Sequence, residues 1–134
     1  MVFVILLVPS IINYGYPDPA ALALRTAARN GNMAALSSIV HSMGRNAIDL
    51  EPALAEASSY GRVKAMKFLI SRGACDFSGA LVKASLRNQI GAVRYLIDSD
   101  AHICEADLRL ARIAAGGSDS TEVEFLLVTR IMHP

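Results

Sequence analysis

An all-helical stack of repeated hairpins is the fold class this sequence predicts, on three observations. Leu24, Leu54, Leu81 and Leu108 recur at intervals of 30, 27 and 27 residues. Three residues after each stands an alanine: Ala27, Ala57, Ala84 and Ala111. Eight to thirteen residues after the first three alanines comes an apolar block. These blocks are Ala35-Leu36 with Ser38-Ile39-Val40, Ala65-Met66 with Phe68-Leu69-Ile70, and Ala92-Val93 with Tyr95-Leu96-Ile97. A fixed period near thirty residues marks a solenoid, whose units bury their apolar faces only against neighbours.

The chain begins with an element unlike the rest. Val2 to Val8 form a continuous apolar run, broken by Pro9-Ser10, resumed at Ile11-Ile12 and closed by Tyr16-Pro17-Asp18-Pro19. It is shorter than the ~18 apolar residues a membrane span needs. A secretory signal wants a basic start, yet the first Lys or Arg is Arg25. Ala21-Leu22-Ala23 would serve as a cleavage site only by trimming the first repeat helix. Residues 1–19 are therefore expected to be an apolar cap on the end of the stack. A targeting or anchoring segment and a mis-assigned start are the alternatives.

Residues 20–134 form the repeat domain, with units at about 20–49, 50–76, 77–103 and 104–131. Asp18 is a candidate N-cap for the first helix, with Pro19 at a tolerated first-turn position. The longest connection, Ser42 to Glu51, is either an irregular finger that touches a partner or an ordinary surface loop. In the second unit Leu54 and Ala57 share one helical face. Gly61 supplies a left-handed residue that ends that helix, and Gly73 ends the next. In the third unit Asn88 takes the turn-glycine position, which asparagine tolerates better than most residues. The fourth unit opens with Glu105 and Asp107. Its second block, Glu122-Val123 with Phe125-Leu126-Leu127, arrives three residues late. Ser120 or Asp119 is the expected cap there, with Glu122 and Glu124 near the positive end of the helix dipole.

The register resembles that of ankyrin repeats over roughly residues 20–131. Ala27-Ala28-Arg29-Asn30-Gly31-Asn32 stands where that family has Ala-Ala-x-x-Gly-His. Lys67-Phe68-Leu69-Ile70-Ser71-Arg72-Gly73-Ala74 stands where it has the Leu-Leu-x-x-Gly-Ala end of the second helix. The family's Thr-Pro-Leu-His opening is absent, and these units fall short of its period of about 33 residues. The deficit lies between units, as in Gly73 to Ala80, leaving little room for a projecting β-hairpin. Such short-period arrays are known from large DNA viruses and some microbes. The resemblance implies an ankyrin-like solenoid of helix-turn-helix repeats with short loops, whose first helices line a concave inner face.

Chemistry is sparse. His41, His102 and His133 fall in separate units without shared spacing. Cys75, His102 and Cys104 lie in adjacent loops, but they lack the paired spacing of a zinc site. No metal or cofactor is expected, and two cysteines read as free thiols in a reducing compartment. There is no nucleophile elbow and no phosphate-cradling glycine loop, so the chain is expected not to be an enzyme. A formal charge of +1 offers no global attraction to nucleic acid or membrane. Membrane contact is expected only through residues 1–19.

The function implied by the resemblance is a non-catalytic protein–protein interaction module in the cytoplasm. A secreted or membrane-tethered protein, located by residues 1–19, is the alternative. The first helices carry Arg25, Arg29, Lys83, Arg87, Arg109 and Arg112 outside the core, with Tyr60 among them and Glu56 as the lone acid. Such a face suits an acidic protein partner, and Tyr and Arg are favoured interface anchors. Solvated charges that keep an alanine-rich array soluble are the plainer reading. The last helix ends in Leu126-Leu127-Val128-Thr129-Arg130-Ile131-Met132, with no polar outer face, so the expectation is either self-association there or a shortened piece of a longer array.

Overall fold

A computed structural model describes residues 18–43, 49–99, 103–116 and 121–133. The expectations for the apolar run before Asp18, for the centre of the Ser42–Glu51 connection, for His102 and for the caps Asp119 and Ser120 lie outside the described residues. Among those described there are eight helices and no strand. They are α1 (Pro19–Asn30), α2 (Met33–Met43), α3 (Glu51–Ser59), α4 (Val63–Ser71), α5 (Phe77–Leu86), α6 (Ile90–Asp98), α7 (Glu105–Gly116) and α8 (Thr121–Met132). None of them is long and apolar enough to cross a membrane.

Each odd helix packs on the even helix that follows it, giving four hairpins. Successive odd helices also pack on one another along a row, from α1 through α3 and α5 to α7. Even helices meet their neighbours more lightly. The fold is all-helical and repeat-like.

The sequence period explains this layering. Leu54 and Leu81 are fully buried, as are Ala57, Ala84 and Ala111, while Leu24, Ala27 and Leu108 are nearly so. Alanine at the contact lets helix axes approach closely, and each leucine then fills the layer between hairpins. Burial of one such leucine contributes about 1.5–3 kcal/mol. The even helices add Leu36, then Met66 with Leu69, then Val93 with Leu96.

The hairpin turns repeat atom for atom. Asn32, Arg62 and Gln89 donate their amides to the carbonyls of Ala27, Ala57 and Ala84 at 3.0, 2.8 and 2.8 Å. The residue before each is left-handed, with φ of 69° at Gly31, 68° at Gly61 and 56° at Asn88. Glycine holds that conformation without a Cβ penalty, and asparagine is among the few side chains that visit it readily. Arg62 also reaches back across one unit to donate its Nε to the Arg29 carbonyl at 3.0 Å.

Two helix starts carry aspartate caps, while α3, α4 and α6 have no side-chain cap. Asp18 accepts from the Ala20 amide, with Pro19 in the first turn. Asp76 caps α5 by accepting from Gly79 at 2.9 Å. Glu51 ties the next inter-unit loop to its own helix, its two carboxylate oxygens accepting from the Cys75 and Asp76 amides at 2.9 Å each.

The last hairpin departs from the others. Alignment of the fourth block sets Leu126 beside Leu69 and Leu96, which are fully buried. Instead Leu127 is buried and Leu126 only half-buried. The helix is turned by roughly one residue, about 100°. Phe125 accordingly stands 68% exposed, whereas Phe68 and Tyr95 pack against the core.

Candidate functional site

Repeat positions place the exposed side chains. On the odd helices, the residue after each aligned alanine is Ala28, Ser58, Ser85 or Arg112. The first three are fully buried, so this position faces the following first helix. The position two residues beyond each alanine holds Arg29, Ser59, Leu86 and Ile113, and the one just before it holds Thr26, Glu56, Lys83 and Leu110. All are exposed except Ser59, which is buried, and Glu56, which is partly buried.

Five of the seven predicted residues come together. Glu56 receives Arg25 Nη2 on one carboxylate oxygen at 3.0 Å and Arg29 Nε on the other at 3.2 Å. Burial pushes the Glu56 carboxyl up, but the hydrogen bonds from Arg29 and Arg25 outweigh it and hold it below the usual range. The Arg29 pKa is raised further, chiefly by the same bond. The Arg29 and Arg87 guanidinium carbons lie 5.4 and 5.2 Å from the Tyr60 ring centroid, within cation–π range. Arg29, Glu56, Ser59, Tyr60, Lys83 and Arg87 line a cleft of about 180 Å³ that is mostly polar.

Lys83 and Arg87 differ from their neighbours in this cleft. Among the described residues no carboxylate lies within ion-pair distance of either. Both are exposed. The cleft therefore presents two cations without an ion-pair partner among the described residues, beside two arginines that share one glutamate.

Arg109 and Arg112 are set apart. Arg109 pairs with Glu105 one turn earlier on α7, and Arg112 pairs with Glu124 of α8 at 3.4 Å. Arg112 occupies the position buried in the other three units, so it lies on the end face of the row. Phe125 and Met132 of α8 stand 68% and 70% exposed.

Apolar residues at the surface of the same row escaped the sequence reading. Leu86, Leu110 and Ile113 are 50%, 57% and 74% exposed. Their signal was available: each falls outside the buried leucine and alanine positions of its unit. At the other end, Leu22, Ala23, Ala35 and Ile39 border a largely apolar groove of about 480 Å³. There the face of α1 has no preceding first helix among the described residues.

The two thiols are engaged. Cys75 donates to Glu51, the main reason its pKa is raised. Cys104 donates to Asp107, and that bond, followed by one from Ser78, holds the Asp107 carboxyl low. Among the described residues no group of three or more His, Cys, Asp or Glu is placed to hold a metal ion. No protein-family model and no curated protein matches the chain.

Proposed function

We propose that the chain is a non-catalytic protein-interaction module, an ankyrin-like stack that binds a protein partner through the exposed face of its first helices. The observation that carries this reading is the juxtaposition in one cleft of Lys83 and Arg87, neither paired with a carboxylate among the described residues, with Tyr60 and Leu86. Cations that serve only solubility do not need a concave setting lined by an aromatic ring. Support for the stack comes from the row of odd helices, the left-handed residue at the same place in three turns, and the short inter-unit loops. A repeat array leaves a long continuous surface, which suits recognition. The non-catalytic reading is supported by the state of the thiols: Cys75, raised and bonded to Glu51, is a poor nucleophile.

Photo-cross-linking in the native host tests the reading. A benzophenone amino acid at Leu86 is expected to yield a discrete protein adduct, and the same group at Lys64 on α4 is not. Equal labelling from both positions, or none from Leu86, would remove the first-helix face as the binding surface.

A further inference from the structure

The slot between successive first helices changes chemistry along the row. Between α1 and α3 it holds Arg29 and Glu56, an ion pair at 3.2 Å. The equivalent residues between α3 and α5 are Ser59 and Lys83. Between α5 and α7, which pack on each other, they are Leu86 and Leu110, with Ile113 beside Leu110 one turn on. At one end of the row the arginines are tied to a shared glutamate, in the middle the cations have no ion-pair partner among the described residues, and the far end is apolar and exposed.

We infer that this strip receives an acidic amphipathic helix, with a carboxylate in the cleft at Lys83 and Arg87 and apolar side chains on Leu86, Leu110 and Ile113. The inference rests on the protein-interaction reading above and names the chemistry of the partner. Charge complementarity selects an acidic segment, because Lys83 and Arg87 have no carboxylate of their own among the described residues. The leucines require that the same segment also carry an apolar stripe. A helix suits better than an extended strand. An added strand needs a sheet edge for its main-chain groups, and no strand exists among the described residues. A helix satisfies its own backbone and offers side chains alone. Neighbouring packed helices lie roughly 8–10 Å apart. Leu86 borders the cationic cleft itself, and Leu110 and Ile113, one helix further along the row, lie about two helical turns from it along a bound helix.

The probe is a stapled synthetic helix of about two heptads with Leu at i, i+4 and i+7 and Glu at one end of that stripe. Two control peptides replace Leu by Ser or Glu by Lys. Fluorescence anisotropy with the full chain is expected to show saturable binding of the first peptide alone. The double variants Lys83→Glu/Arg87→Glu and Leu110→Ser/Ile113→Ser should each weaken it at least about tenfold. Circular dichroism and melting confirm that both variants stay folded. If one does not, Lys83→Gln/Arg87→Gln or Leu110→Ala/Ile113→Ala replaces it and must show the same loss. Amide shift changes should map to α3, α5 and α7. Equal binding of the serine peptide would mark a plain polyanion site and overturn the inference, as would binding of the lysine peptide. Shifts confined to the groove at Leu22 and Ile39, or to Phe125 and Met132, would place the docking surface elsewhere. If no peptide binds while Leu86 still cross-links a protein, the interaction module stands and the amphipathic helix falls.

Discussion

Arg29 and Glu56 fill the slot between α1 and α3; Leu86 and Leu110 occupy the same slot between α5 and α7. The backbone arrangement is shared, and the consequence for the surface is opposite. In the first case two arginines are consumed within the molecule, one on each oxygen of a single glutamate. In the second, two leucines and an isoleucine remain at least half exposed. Whether a charge on a repeat surface is available to a partner depends on what stands one unit further along. Residue type alone does not decide it, because Arg29 and Arg87 both lie over Tyr60 and, among the described residues, Arg29 is ion-paired while Arg87 is not.

The comparison is broken most forcefully by asking whether leucines on α5 and α7 are all structural. Leu81 is fully buried, and Leu81→Ala should cost about 2–5 kcal/mol in urea unfolding. Leu110, at 57% exposure, is the contrast: Leu110→Ser should stay within about 0.5 kcal/mol of the native chain. If Leu110→Ser destabilised as much as Leu81→Ala, the leucine strip would belong to the core and could not be held open for a ligand.

A smaller effect sharpens the ionic half. Glu56→Gln removes the charge shared by Arg25 and Arg29, whose side chains are 39% and 47% exposed. With that exposure discounted for solvent screening, the loss is about 1 kcal/mol near neutral pH. The folded-state carboxyl titrates below its unfolded value. Its contribution is therefore complete above the unfolded pKa of about 4.3 and lost as pH falls through the lower folded value. The stability gap between native chain and variant should hold steady above that range and close beneath it. A gap that stayed constant down to strongly acid pH would mean that Glu56 acts by packing rather than by charge.

The fold was legible because it is written in repetition. Leu24, Leu54, Leu81 and Leu108 mark the buried layer, and Gly31, Gly61 and Asn88 mark the turns by a backbone conformation few residues accept. The site was legible only in part. Sequence placed Arg25, Arg29, Tyr60, Lys83, Arg87, Arg109 and Arg112 on one face, whereas the first five gather around Glu56 and Tyr60 and the last two pair elsewhere. Glu56 spans to Arg29 across 27 residues and to Arg25 across 31, a reach visible only once repeat positions are superposed in space. Arg112 escaped for a related reason. Its position is buried in three units and exposed in the fourth because no further first helix is described beyond α7. The late arrival of the fourth block was visible in the sequence, but the rotation of α8 that buries Leu127 in place of Leu126 was not.

The smallest expected effect concerns the cations left over. Lys83→Gln with Arg87→Gln removes two positive charges that no described carboxylate compensates. Stability should change by less than about 0.5 kcal/mol, since solvated surface charges contribute little. Partner association should weaken instead, mainly through a slower on-rate whose dependence on ionic strength is reduced. Kinetics measured at two salt concentrations, beside a thermal melt, separate the possibilities. A melt shifted by several degrees would show that Lys83 and Arg87 hold the stack together, as Arg25 and Arg29 do through Glu56. The two halves of the row would then be alike after all. An unchanged melt with a flattened salt dependence would leave them divided, one half using its charges to join neighbouring helices and the other presenting them to a partner.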